Sequence, residues 1–265
     1  MTYQPQTNQQ LMATINIGNS FPQINTINRV DQNIDMLQIK RGNPDMDKAN
    51  IYLAQLSYSL QYKTFNIQAI AYSINVNHAI VNNYYVEKDK LINSFSSNAN
   101  YYNLIGMLTA TWKVTEKINF KMDGTWLQTK LTGTASATCN NLIGSLQMNY
   151  YWKDFSLNIY GRTSQKTLDM SSISVYESGK YGASINWIHK NWFAEIGTEN
   201  PFSSNHRKTY SINTDVYNFN NTNYSRIFQQ TGYVKLSYTF DFGRKTSRAQ
   251  EQVNTNINSA ILKAQ

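Results

Sequence analysis

Lys117-Ile118-Asn119-Phe120-Lys121-Met122-Asp123-Gly124-Thr125-Trp126 alternates strictly between two kinds of residue. Ile118, Phe120, Met122, Gly124 and Trp126 share one face, and Lys117, Asn119, Lys121, Asp123 and Thr125 share the other. A period of two belongs to a β-strand, whose successive side chains point to opposite sides. Three other stretches repeat the pattern. Tyr52, Ala54, Leu56, Tyr58, Leu60 and Tyr62 line one side of 52–62, with Gln55, Ser57, Ser59 and Gln61 opposite. Leu142, Gly144, Leu146, Met148, Tyr150 and Trp152 line another strand. Near the C-terminus Val234, Leu236, Tyr238, Phe240 and Phe242 alternate with Lys235, Ser237, Thr239 and Asp241.

No charge falls on the apolar face of any of these stretches. A lysine at the middle of a bilayer costs about 2–4 kcal/mol, so a lipid-facing surface demands such segregation. A soluble β-sandwich also alternates, but sandwich strands run to about five or six residues. The alternation here runs for 9 to 11 residues or more, about what a tilted membrane strand needs. Aromatic residues recur at the strand ends, as Trp112, Trp126, Tyr150, Tyr151, Trp152, Trp187 and Trp192, where interfacial girdles belong.

Composition agrees. The 265 residues include 19 Tyr, 11 Phe and 5 Trp, yet only 15% are charged, against about a quarter in soluble domains. Mean hydropathy is nevertheless −0.52, the polarity being carried by Asn, Ser, Thr and Gln. Nowhere do 18 apolar residues run together, so a transmembrane helix is excluded. A closed barrel is the other way to satisfy every backbone group in hydrocarbon. The net charge of +8 is thinly spread, and its densest group, Arg244, Lys245 and Arg248, lies in a polar tail. That pattern reads as a solvated terminus, not a nucleic-acid site.

Connection lengths give an independent test. Short links near 62–64, 114–117, 152–155 and 188–191 alternate with long ones near 18–49, 78–100, 130–141, 164–179 and 200–230. Bacterial barrels have short periplasmic turns and long external loops. The reading is an all-β, antiparallel transmembrane β-barrel of about ten strands. They are expected near 10–17, 50–61, 65–77, 101–113, 117–129, 142–152, 155–163, 180–188, 191–199 and 231–242. In 65–77 the apolar face switches from Phe65 and Ile67 to Ile70, Tyr72, Ile74 and Val76, and a bulge would explain the slip. Residues 208–218 are expected to add a strand outside the membrane. Residues 1–242 form the barrel portion and 243–265 a polar tail, with a helical period only at 253–262.

No catalytic constellation emerges, and no enzyme, cofactor or metal is expected. His78, His189 and His206 are dispersed at strand ends or in loops and read as solvated. Cys139 is alone, which excludes a disulfide within the chain, and falls in an expected external loop. Lys121 and Asp123 read as an interior ion pair, and Glu195 and Glu199 as facing the interior or rim. The Asn-rich stretch 217–224 reads most simply as a mobile polar loop, although its amides and rings suit sugars or peptides.

Three motifs carry a family resemblance. Arg41-Gly42-Asn43-Pro44-Asp45-Met46 before the 52–62 strand resembles a Gly-Asn-Pro segment of TonB-dependent receptors, most closely those of Bacteroidetes outer-membrane barrels. Trp192-Phe193-Ala194-Glu195-Ile196-Gly197 leading to Asn200-Pro201-Phe202 is similar to the motif before their last strand. Val234 to Lys245, with Tyr238, Phe240 and Phe242, resembles their closing strand and basic exit. The resemblance implies roughly the C-terminal half of a barrel of about 22 strands. It further implies a plug and a TonB-engaging segment upstream of Met1. The N-terminus has neither the basic nor the apolar region of a secretory signal, as expected if the chain begins partway through a longer polypeptide. The implied partners are outer-membrane lipid, the N-terminal barrel half with its plug, and TonB through that part only. Such a segment serves nutrient uptake but does not transport alone. The alternatives are a small self-contained barrel acting as adhesin or structural protein, an outer-membrane enzyme, and a truncated product without function.

Overall fold

The computed structural model describes residues 1–134 and 136–240. Phe242, the tail 243–265 and its helical period at 253–262 lie outside them. The first strands are β1 (Thr2–Tyr3), β2 (Gln9–Ser20), β3 (Gln32–Asn33), β4 (Gln38–Lys40), β5 (Ala49–Tyr62) and β6 (Phe65–Asn77). Next come β7 (Val81–Glu87), β8 (Lys90–Ser96), β9 (Ala99–Lys113), β10 (Ile118–Gly133), β11 (Ala137–Trp152) and β12 (Phe155–Arg162). The last are β13 (Gln165–Leu168), β14 (Ser174–Glu177), β15 (Lys180–His189), β16 (Trp192–Glu199), β17 (Arg207–Asn213), β18 (Asn218–Tyr224) and β19 (Thr231–Tyr238).

The main sheet has 11 strands in the order β1-β2-β5-β6-β9-β10-β11-β12-β15-β16-β19. Apart from the two-residue β1, these strands correspond one for one to the ten expected spans. Every pairing is antiparallel. Three of the short turns hold two residues: Lys63-Thr64, Lys153-Asp154 and Lys190-Asn191. In each, the lysine has positive φ, between 46° and 52°, the sense of bend that hairpins need to match strand twist. The stretch Arg207–Asn213 is β17, so the extra strand outside the membrane is present.

Register settles which residues share a face. Met122 lies opposite Ala110 and Leu146, and Phe120 opposite Trp112 and Met148. This outer face is apolar and exposed, with Met122 at 50% and Leu146 at 53%. Toward the turn end it finishes in aromatic pairs. Phe65 stacks on Trp112 with centroids 5.2 Å apart, and Trp192 meets Tyr238 at 4.7 Å.

The inner face is polar toward the turns. Asp123 accepts from Thr109 at 2.9 Å and Ser145 at 3.0 Å, with Lys121 Nζ 3.6 Å away. The amide of Asn149 donates to Asn119 at 2.8 Å, and Asn158 donates to Asn149 at 2.6 Å. Across β16 and β19, Glu195 accepts from Tyr233 at 2.7 Å and Lys235 at 3.0 Å.

Toward the loop end the same inner face turns apolar. Val76, Tyr101, Leu127, Leu131 and Cys139 are buried there against Val81 and Leu168. The loops supply that cover as two four-stranded rim sheets, β3-β4-β8-β7 and β13-β14-β17-β18. This arrangement corrects the expectation of a bulge in 65–77: β6 pairs without a break from Phe65 to Asn77 on both sides. Phe65 and Ile67 face lipid, whereas Ile74 and Val76 belong to the core beneath the rim, so both faces carry apolar residues at different heights. Cys139 is likewise not in a loop. It lies in β11, is 3% exposed, and its Sγ sits 3.4 Å from the Lys166 carbonyl oxygen.

Candidate functional site

The long-loop end carries two built features, each containing one of the sequence motifs. The first is a polar cleft of about 610 Å³ lined by residues 29–45 and by β7 and β8. Gly42 is at its turn because space allows nothing else: an added Cβ would collide with the Asn28 backbone. The Gly42 N–H donates to Asn28 O at 2.9 Å and the Asn43 N–H to Thr26 O at 2.7 Å. Asn43 ties the turn to β8 by donating from Nδ2 to Phe95 O at 3.0 Å, while its Oδ1 accepts from the Asp45 N–H at 3.0 Å. Pro44 completes the wall.

Arg41 organises the charge. Its Nε and Nη2 donate to the two oxygens of Asp31 at 2.6 and 2.9 Å, and Nη1 donates to Glu87 at 2.7 Å. The hydrogen bonds from Arg41 hold the Asp31 carboxyl below its ordinary range, and the two carboxylates raise the guanidinium pKa in return. Asn83, Tyr85 and Ser94 line the same cleft. Nothing in the sequence singled out these three, because strands β7 and β8 meet residues 29–45 only in three dimensions.

The second feature is Asn200, 1% exposed and at φ 45°. Its N–H donates to Tyr181 O at 2.7 Å, and its Oδ1 accepts from the Tyr181 N–H at 2.9 Å. Its Nδ2 donates to Phe228 O at 2.6 Å, and its carbonyl accepts from the Gln230 N–H at 3.1 Å. One side chain thereby pins both ends of the 200–230 connection to β15. Pro201 follows in the turn, and Phe202 stands 89% exposed. Tyr238 and Phe240 lie at the opposite, turn end, with centroids 4.7 Å apart. The structure thus separates the three motifs into cleft, loop anchor and girdle.

His206 departs from the solvated expectation. It is 4% exposed, its ring lies 5.2 Å from that of Phe228, and neither ring nitrogen has a hydrogen-bond partner among the described residues. Burial, then the Lys180 charge, lowers its pKa. Beside it, Glu177 binds Arg162 at 3.1 Å and Lys180 at 3.0 Å. His189 lies at a turn, 2.8 Å from Asp154, and His78 is half exposed. The Asn-rich stretch is no mobile loop either: Asn218–Tyr224 is β18, paired along its length with β17. No group of three metal-binding side chains occurs among the described residues.

An apolar belt, aromatic ends, a polar inner wall and elaborate loops at one end describe an outer-membrane barrel wall. Residues 1–258 match the outer membrane protein beta-barrel family. The chain belongs to that family. Its place is the bacterial outer membrane. No curated protein matches the sequence. Among solved structures, the family member resembles the copper transporter OprC, with a TM-score of 0.65 at 14% identity over 90% of this chain and 39% of that one. It also resembles the FrpB iron transporter from Neisseria meningitidis, with a TM-score of 0.58 at 11% identity over 89% of this chain and 37% of that one. A third likeness is the siderophore receptor PiuA from Acinetobacter baumannii, with a TM-score of 0.55 at 12% identity over 89% and 34% of the two chains. At such identities the likeness is one of fold. The chain spans under two-fifths of the length of these transporters.

Proposed function

We propose that this barrel wall is the C-terminal part of a TonB-dependent receptor-like importer, of the type found in Bacteroidetes. Its larger barrel, of about 22 strands, would be completed by upstream strands and filled by a plug. The observation that carries the reading is the form of the main sheet. It is open, with β1 and β19 at its edges, yet its belt is built for hydrocarbon, where unpaired edges are not tolerated. Further strands close such a sheet. The polar inner groups around Asp123, Asn149 and Glu195 suit a wet surface against a folded plug better than a packed apolar core. Contact with TonB would run through the upstream part, and the role is uptake of a scarce nutrient, not catalysis.

A blot of separated cell fractions tests the reading. It predicts an outer-membrane band far above the 30.5 kDa of this chain. A membrane band near that mass would instead establish a small self-contained barrel, the adhesin or structural alternative.

A further inference from the structure

The turn end of the main sheet carries a row of lysines that no carboxylate answers. Lys63, Lys153 and Lys190 open the three two-residue turns, each at positive φ. Lys113 and Lys117 flank the fourth turn, between β9 and β10. All five are exposed, and none forms an ion pair with a described residue. The carboxylates among these turns are Glu116 and Asp154, and Asp154 already lies 2.8 Å from His189. At the loop end, by contrast, Arg41, Arg162 and Lys180 each have a carboxylate at 3.1 Å or less.

The row lies just past the aromatic girdle. Lys63 Nζ is 5.4 Å from the centre of the Tyr62 ring, and Lys153 Nζ is 5.8 Å from that of Trp152. Lys190 stands two residues before Trp192, which packs on Tyr238. Such rings sit at headgroup depth, so ammonium groups beyond them stand level with lipid phosphates. Successive turns are two strands apart in the sheet, about 10 Å. That is about one Debye length, so neighbouring lysines reinforce one another's potential. The bend itself does not call for lysine, because positive φ favours Gly, Asn or Asp.

We infer that this row is a docking surface for anionic phospholipid headgroups of the periplasmic leaflet, phosphatidylglycerol being the simplest. The lysines hold the phosphates while the girdle rings above them lie along the upper parts of the acyl chains. The inference rests on the membrane placement of the sheet with its short turns toward the periplasm. It stands whether or not the chain belongs to an importer.

The test is mass spectrometry of the intact natural polypeptide in detergent, offered phosphatidylglycerol and phosphatidylcholine with identical chains in equal amounts. Phosphatidylglycerol should be retained about fivefold over phosphatidylcholine at each lysine. Replacing Lys63, Lys153 and Lys190 together by Asn, which tolerates positive φ, should bring the ratio most of the way to parity. Unchanged heat-modifiable migration on gels shows that this variant is folded. Lys88→Asn is the matched control, since Lys88 opens a two-residue turn at φ 49° in the rim sheet at the other end, and it should leave the ratio unchanged. Equal retention of the two lipids by the parent, or an undiminished ratio in the triple variant, would overturn the inference. So would a fall as large with Lys88→Asn. Sedimentation with purified peptidoglycan that the triple variant loses, without any lipid preference in the parent, would assign the row to the cell wall instead.

Discussion

Met122→Lys on β10 places a charge where the structure leaves none. Met122 sits in the middle of the apolar run from Ile118 to Trp126 and is 50% exposed on the outer face. Its cross-strand neighbours, Ala110 and Leu146, offer no partner. Ile118, at the turn end of the run, is four residues distant, about 13 Å along the strand, so the ammonium reaches neither interface easily. The expected cost is about 2–4 kcal/mol, or about a thirty- to seven-hundredfold shift toward the unfolded state. Gln68→Lys is the matched control. Gln68 lies at the same height on the inner face, opposite Thr109, with Asp123 on the strand beyond, so its lysine meets water on a polar wall. Urea titration of the natural polypeptide in liposomes, followed on gels by heat-modifiable migration, reads both. Met122→Lys should lower the midpoint clearly and Gln68→Lys hardly at all. Equal midpoints would refute the assigned facing.

The remaining predictions concern the loop end. Asn200→Ala strips partners from the Tyr181 N–H and the Phe228 carbonyl, about 1–3 kcal/mol for each group left buried, so residues 200–230 should become the preferred site of limited proteolysis while the main sheet survives. Gly42→Ala forces a Cβ into the Asn28 backbone and should expose residues 26–46 to protease without changing outer-membrane yield. His206 has a lowered pKa in the folded protein, so its contribution to stability is intact above about pH 6.5, the ordinary histidine value. That contribution is lost progressively as pH falls below it. Hydrogen exchange in 200–230 should therefore quicken between pH 7.5 and 5 in the parent and much less in His206→Phe.

The spans were legible because a lipid-facing strand must separate its residue types at every second position, and because turns and loops alternate in length. What lay beyond the sequence was three-dimensional cover. Ile74 and Val76 look like a register slip until the rim sheets are seen to bury the inner face at that height. His206 and Cys139 are buried by segments far along the chain, Phe228 and the carbonyl of Lys166 among them. No period or spacing encodes that meeting. Gly42, Asn43 and Asn200 were visible as motif positions, but the sequence did not show that one lines a cleft and another anchors a loop. Asn83, Tyr85 and Ser94 carried no signal at all, since they line the cleft only once β7 and β8 stand opposite residues 29–45.

The most direct test of the account is nitroxide scanning of residues 118–126 in the membrane-assembled natural polypeptide, comparing collision with oxygen and with a water-soluble nickel chelate. A period of two is expected, with labels at 118, 120, 122, 124 and 126 reached by oxygen from the lipid. Labels at 119, 121, 123 and 125 should be shielded from lipid and report water or protein. Accessibility to the chelate at both sets alike, or no alternation, would contradict a membrane-spanning strand.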